Sequence, residues 1–184
     1  ARELILTLSS YYRQALENDQ YMLSLHTELY HVASYLELEQ ARFEEKLVVE
    51  LDVEDDLNCK VPSFILQPLV ENAVRHGGDR TGARHVSISA HSVEGMAEIA
   101  VADRGQGIPR EVVLGLYTGQ GKGVGLSNVH KRLKSIYGED NGLKIETSEA
   151  GSRVWFRIPL EPEEIPGPIH ETKQEESYNE DSCD

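Results

Sequence analysis

Residues 66–77 read LQPLVENAVRHG, and this stretch carries both a structural and a chemical pattern. Its apolar residues recur at the spacing of one helix face, which predicts an amphipathic helix. Asn72, Arg75 and His76 stand at positions i, i+3 and i+4, so they share another face of that helix. The amide oxygen of Asn72 could ligate Mg²⁺, and Arg75 could neutralise phosphate charge. Taken alone, such a polar face is more often simply solvated.

The start of this helix is ambiguous in the sequence. Ser63 is suited to be its N-cap residue. Pro68 would then lie too deep for a first-turn proline, so the helix either kinks or begins again at Pro68. The pattern does not choose between these alternatives.

A second segment, DRGQG at residues 103–107, follows a predicted strand. At the end of a strand, the carboxylate of Asp103 can accept a hydrogen bond from an exocyclic amine such as that of adenine. Gly105 and Gly107 leave room for a flat base to approach the backbone. An ordinary Asp-Gly turn is the alternative interpretation.

The third segment is GQGKGVGL at residues 119–126, where glycines alternate directly before a predicted helix. This arrangement frees backbone N–H groups to surround an anion and directs the positive end of the helix dipole toward it, so it predicts a phosphate site. A P-loop would need Ser or Thr after Lys122, but Gly123 stands there. A dinucleotide fingerprint would need a strand directly before the glycines. A flexible linker, the remaining alternative, would not normally end in a capped amphipathic helix.

The periodicity elsewhere predicts an ordered series of helices and strands. Helical spacing occupies residues 1–15, 25–43 and 127–137, and strand-like alternation or β-branched residues occupy 47–54, 86–91, 97–103, 143–147 and 153–159. Hairpins between the helices favour an α+β fold, a two-layer sandwich with a mixed, mainly antiparallel sheet and helices on one face. The first two helices are either an ordinary hairpin or part of a dimerisation bundle that begins upstream.

Composition limits the function classes. The 184 residues carry a net charge of -14, much of it in an acidic, proline-containing tail at 161–184, and no basic face is visible. Nucleic acid is therefore not expected as a partner. Cys59 and Cys183 are the only cysteines, which favours a reducing compartment. No apolar run reaches the roughly 20 residues of a membrane span.

In their order, the three segments resemble the GHKL ATPase superfamily. Within it, the chain is most similar to the LytS-type sensor histidine kinases, through LQPLVENAVRHG, GVGLSNVHKRLKSIYGED at 123–140 and ELYHVASYLELEQARF at 28–43. The resemblance covers about residues 1–160. It implies the end of a helical dimerisation and phosphoacceptor region at 1–43 and an ATP-binding catalytic domain of the Bergerat fold at 44–160. The acidic, proline-containing composition of residues 161–184 predicts a disordered tail.

The resemblance also implies roles for individual residues. Asn72 would hold Mg²⁺, Asp103 would recognise adenine, Gly105 and Gly107 would line the base, and Ser152 would support the adenine contact. The ATP-binding set is Asn72, Arg75, His76, Asp103, Gly105, Gly107, Gly119, Gly121, Lys122, Gly123, Val124, Gly125, Leu126 and Ser152. Residues 119–125 would form a lid over the phosphates.

The activity implied is transfer of the ATP γ-phosphate to a histidine and then to the receiver domain of a response regulator. The full protein would be a homodimer, with this part a cytoplasmic domain of a membrane-anchored sensor. Two features depart from the family pattern. The acceptor segment P-H-F-x-F-N is absent, so the acceptor histidine is expected upstream. Pro68 occupies the position four before Asn72 where hydrolysing relatives carry a water-activating Glu, which favours transfer over hydrolysis.

Two other function classes share parts of these patterns. A serine kinase of the anti-sigma type would use the same pocket but lacks the 28–43 helix pattern. A catalytically inactive ATP-sensing or dimerisation module is the non-enzymatic alternative.

Overall fold

The computed structural model describes residues 22–119 and 124–161. The predicted helix over residues 1–15, the glycine-loop residues Gly121, Lys122 and Gly123, and most of the acidic tail lie outside the described residues. The strands are β1 (Met22–Ser24), β2 (Leu47–Val53), β3 (Lys60–Pro62), β4 (Arg84–Val93), β5 (Met96–Asp103), β6 (Lys144–Ser148) and β7 (Gly151–Pro159). The helices are α1 (Leu25–Phe43), α2 (Gln67–His76), α3 (Arg110–Thr118) and α4 (Val124–Tyr137).

A five-stranded sheet with the strand order β2-β4-β5-β7-β6 forms the centre of the fold. Strand β2 pairs parallel to β4, and the other neighbours pair antiparallel. The sheet is therefore mixed and mainly antiparallel, and the predicted α+β class is confirmed. A separate antiparallel pair, β1 with β3, brings the two short strands together.

The core lies between one face of the sheet and the helices. Strand alternation buries every second residue, such as Val86, Ile88 and Ala90 on β4, while the helices contribute buried leucines and valines. Fully buried aliphatic or aromatic side chains each stabilise the fold by about 1.5–3 kcal/mol. Phe156 and Leu133, both 0% exposed, show how β7 and α4 share this core.

The opposite sheet face is polar and partly exposed. Glu98 accepts hydrogen bonds from Arg153 at 2.6 Å and Arg157 at 2.8 Å. Both guanidinium groups also lie near the ring of Trp155, at 5.3 and 5.4 Å from its centroid. These charged side chains cover the second sheet face, so that, among the described residues, no helix layer packs against that face, as in a two-layer architecture.

The start of α2 settles the alternatives left by the sequence. The helix begins at Gln67 with Leu66 at the N-cap position, so Pro68 lies in the first turn and no kink is needed. The prediction of Ser63 as N-cap is wrong. Ser63 is 0% exposed, and its carbonyl and hydroxyl oxygens accept hydrogen bonds from Arg132 of α4.

Helix α3 is an element that the sequence pattern missed. It covers nine residues between the two glycine segments, starts after Pro109 and ends at Gly119 in a left-handed conformation. Leu116 is its one buried residue. A helix of nine residues is shorter than the window of about 11–18 residues over which apolar spacing identifies a helix.

Helix α1 packs on the same core as the sheet. Its N-terminus is capped by the side chain of Ser24, which accepts a hydrogen bond from the backbone of Thr27 at 3.2 Å. Leu25, Val32 and Leu36 are buried in the common core. Helix α1 therefore shares its core with the sheet, and the domain boundary at residue 43 stays a prediction.

Candidate nucleotide-binding site

Helix α2 forms one wall of a cavity of about 760 Å³. The three residues predicted to share a polar face, Asn72, Arg75 and His76, all line it. Leu69, Val70, Ala73 and Val74 on the opposite side of the helix are buried. The amphipathic pattern of the sequence therefore aims the polar face of α2 into an open cavity rather than into bulk solvent.

Glu71 also lines this cavity, although it is rotated by about 100° from Asn72 on the helix. The Nε2 atom of Gln67 donates a hydrogen bond to Oε1 of Glu71 at 2.8 Å. The cavity is therefore wide enough to be lined by both Glu71 and Asn72. The i, i+4 spacing of Gln67 and Glu71 is the sequence signal for this pairing.

Asp103 lies at the end of β5, on the sheet face that carries the buried Val101. The backbone N–H of Gly105 donates to its Oδ1 at 2.8 Å. Burial raises the pKa of the Asp103 carboxyl above its usual value, with this hydrogen bond and the nearby His76 acting in the opposite direction. The result is a half-buried carboxylate that is held in place and directed toward the helix layer.

A contact between two glycines joins Asp103 to α2. A Cβ atom on Gly105 would lie 2.6 Å from Cα of Gly77, and one on Gly77 would lie 2.6 Å from Cβ of Asp103. Only glycine permits so close an approach of the helix end to the DRGQG turn. Gly77 thus allows the end of α2 to approach Asp103 closely, and its position at the end of the predicted helix is the sequence signal for it.

A pair of hydroxyl groups stands beside Asp103. Ser152 is the register partner of both Asp103 on β5 and Thr147 on β6. The Thr147 and Ser152 hydroxyl oxygens are 3.2 Å apart, and Thr147 Oγ1 accepts a hydrogen bond from the backbone of Ile108 at 2.7 Å. Thr147 thereby holds the segment that follows Gly107. Sequence reasoning selected Ser152 but missed Thr147, because their proximity depends on strand register.

The described end of the glycine segment, at the start of α4, also borders the cavity. Gly125 and Leu126, in the first turn of α4, line it, and a Cβ on Gly125 would be 3.9 Å from Cβ of Pro68. Gly119 ends α3 at a φ of 73° and does not line the cavity. Val124 begins α4. Gly121, Lys122 and Gly123 of the predicted lid lie outside the described residues, so the lid stays a prediction.

The residues present suit a magnesium ion that is bound together with phosphate. Within residues 22–119 and 124–161, no group of three or more His, Cys, Asp or Glu side chains could hold a metal alone. Asn72 offers one amide oxygen to the cavity, and Mg²⁺ commonly takes one or two protein ligands with the remainder from water and phosphate. The donor set therefore fits Mg²⁺ as part of a nucleotide complex.

Comparison with known families agrees with this arrangement. The model of the histidine kinase-, DNA gyrase B- and HSP90-like ATPases matches residues 62–162, a span that contains α2, the DRGQG turn and Ser152. The chain belongs to this ATPase family. Membership implies ATP binding. A second family model, described as histidine kinase, matches residues 1–47.

Relatives of this ATPase domain are sensor kinases. The chain is 41% identical over 163 residues to the sensor histidine kinase YpdA of Escherichia coli, covering 86% of this chain and 28% of that protein. It is 40% identical over 168 residues to the sensor protein LytS of Bacillus cereus, again covering 86% and 28%. The predicted LytS-type resemblance is confirmed. The chain spans little more than a quarter of the length of these curated relatives.

Solved structures share the fold of the ATPase domain. The catalytic domain of the histidine kinase ThkA superposes with a TM-score of 0.61 at 21% identity, covering 78% of this chain and all of that one. The Acinetobacter baumannii histidine kinase AdeS gives a TM-score of 0.56 at 22% identity, covering 87% of this chain and 80% of AdeS.

Across the described ranges, none of the helices is long and apolar enough to cross a bilayer.

Proposed function

We propose that this ATPase domain binds Mg-ATP and presents the γ-phosphate to a histidine, as the catalytic part of a sensor histidine kinase. The observation that carries the proposal is the Gly77–Gly105 contact. It brings the C-terminal end of α2 close to the turn that follows Asp103, which supports one binding region shared by two neighbouring hollows. Asn72 lines the cavity of about 760 Å³, whereas Asp103 lines the hollow that also includes Thr147 and Ser152.

The adenine base and the phosphates of the nucleotide would contact different side chains. The Asp103 carboxylate would accept a hydrogen bond from the adenine amino group, supported by Thr147 and Ser152. Asn72 would hold Mg²⁺, and Arg75 with His76, in the last turn of α2, would face phosphate charge. When bound, Mg²⁺ would neutralise phosphate charge and so lower the barrier to phosphoryl transfer.

Transfer to a side chain is favoured over hydrolysis at this site. Pro68 lines the cavity four residues before Asn72 and has no group that could activate water. The carboxylate of Glu71 is on the same wall but hydrogen-bonded to Gln67. Phosphoryl transfer depends mainly on positioning and charge neutralisation, so a correctly held nucleophile suffices.

The acceptor is proposed to be a histidine upstream of the ATP-binding domain. Two histidines inside the fold are poorly suited: the ring of His31 stacks on Phe64 at 5.8 Å, and burial lowers the pKa of His130, which is 8% exposed. By analogy with ThkA, whose structure is known in complex with the response regulator TrrA, the next acceptor would be a receiver domain. A homodimeric, membrane-anchored sensor with this part in the cytoplasm is the proposed setting.

Thermal unfolding with and without Mg-ATP tests the nucleotide site. A functional site raises the free energy of unfolding by RT ln(1 + [L]/Kd) and thereby raises the unfolding temperature. No change at millimolar ATP would refute the proposal. Asp103→Asn is expected to remove the shift while preserving the fold.

The kinase activity needs the full-length protein, incubated with labelled ATP. Acid-labile phosphate on the protein is expected for phosphohistidine. Acid-stable phosphate on a partner protein would instead favour the serine kinase alternative, and binding without any transfer would favour an inactive ATP-sensing module.

A further inference from the structure

Glu28 of α1 is a carboxylate buried at 0% exposure, outside the cavity described above. Its two oxygens accept hydrogen bonds from two backbone N–H groups, Oε2 from Phe64 at 2.9 Å and Oε1 from Leu66 at 3.0 Å. Burying a carboxylate is costly unless its oxygens are hydrogen-bonded. An apolar side chain would pack at this position at lower cost. We therefore expect Glu28 to have a role beyond filling the core.

The bonded segment, residues 63–66, is the connection from β3 into α2. Phe64 has a φ of 57°, a left-handed conformation that is unfavourable for a non-glycine residue and must be held by its surroundings. On the other side of the segment, Arg132 of α4 donates hydrogen bonds to Ser63. Helices α1 and α4 therefore hold the same four residues from two directions.

This segment determines where α2 begins. Leu66 is the N-cap position, and Asn72 lies six residues further along, about 9 Å at a rise of about 1.5 Å per residue. A hydrogen-bonded helix of this length moves as a rigid rod, so a displacement at Leu66 reaches Asn72. Pro68 has no N–H and offers no donor, and Glu28 bonds to the N–H groups of Phe64 and Leu66, which precede the helix.

We propose that Glu28 is a positioning residue for the nucleotide site: by holding residues 63–66, it sets the placement of α2 and so of Asn72 against the bound nucleotide. The inference rests on the proposed function. It also means that α1, which enters from the upstream part of the chain, contacts the segment that leads directly into α2. The proposed coupling runs from Glu28 through Leu66 to Asn72.

The test compares Glu28→Gln and Glu28→Ala with Glu37→Gln, which removes an exposed carboxylate from the same helix. Mg-ATP dissociation constants are measured by calorimetry at a temperature where circular dichroism shows every variant folded. We expect Glu28→Ala to weaken binding within the range of about 5- to 150-fold that is typical of coupled sites. Glu28→Gln keeps one acceptor oxygen and should fall between Glu28→Ala and wild type, whereas Glu37→Gln should match wild type.

Folded Glu28 variants that bind Mg-ATP as tightly as wild type would overturn the inference, since a purely structural role changes stability alone. A wild-type chain that binds no Mg-ATP would overturn the proposed function itself, so the two failures are distinct.

If the variants do not fold, hydrogen exchange on the wild-type chain provides the second measurement. Coupling is reciprocal, so saturating Mg-ATP should slow exchange of the Phe64 and Leu66 amides. The amide of Ala83, bonded to Asp79 on the surface, serves as the control. Unchanged exchange at Phe64 and Leu66 would contradict the proposed role of Glu28.

Discussion

Replacing Gly77 with alanine tests how the site is assembled. The new Cβ would lie 2.6 Å from Cβ and 3.1 Å from Cγ of Asp103, and the carbonyl oxygen of Ala73 blocks its other side. Carbon atoms in contact prefer separations of about 3.5–4.0 Å, so the Asp103 side chain must retreat by about 1 Å. Crowding of this kind typically lowers the unfolding free energy by about 1–3 kcal/mol.

The same displacement should weaken nucleotide binding. Heavy-atom distances in hydrogen bonds lie within about 2.7–3.2 Å, so a shift of about 1 Å breaks a bond from adenine to the carboxylate. A hydrogen bond to a charged group is worth about 1.5–3 kcal/mol, which converts to about a ten- to hundredfold loss of affinity. Calorimetric titration with Mg-ATP, at a temperature where the variant is folded, measures this loss.

The neighbouring glycine provides a matched control. A Cβ on Gly78 would meet only the side chain of Arg84, at 3.5 Å or more. Gly78→Ala should therefore change the unfolding free energy by no more than about 0.5 kcal/mol and leave ATP affinity unchanged. Wild-type affinity in Gly77→Ala would refute the argument, and equal losses in both variants would attribute the effect to local folding rather than to Asp103.

Three further predictions concern single side chains around the nucleotide. Burial raises the pKa of Asp103, so its acceptor form is lost at a higher pH than for an exposed carboxyl. Wild type should therefore lose its ATP-affinity advantage over Asp103→Asn as the pH is lowered from about 7 to about 5. A constant advantage in parallel titrations would contradict this. Thr147→Val removes the acceptor for the backbone of Ile108 and should weaken ATP binding about 3- to 10-fold, with Thr118→Val on α3 as the control. Pro68→Glu restores a candidate base beside Asn72 and should raise phosphate release above the wild-type rate by up to about a hundredfold; an unchanged rate in a phosphate-release assay would argue against the account of Pro68.

The sequence was informative wherever function follows local spacing. The i, i+3, i+4 positions of Asn72, Arg75 and His76 determine that they share a helix face, whatever the rest of the fold does. Alternation along β4, β5 and β7 likewise determines which residues enter the core. The order of elements and the α+β class follow from these periodicities, which is why they were predictable.

Contacts between distant segments required the tertiary structure. Ser152 and Thr147 become neighbours of Asp103 only through the pairing of β5, β6 and β7, because register and strand order cannot be read from one strand alone. The approach of Gly77 to Gly105 and the burial of Glu28 against residues 64 and 66 are likewise set by packing. The stretch LQPLVENAVRHG by itself determined the chemistry carried by α2, since that chemistry follows helical geometry. Only the tertiary structure decided where α2 starts, what holds it there and which groups face it, because those depend on residues far away in the chain.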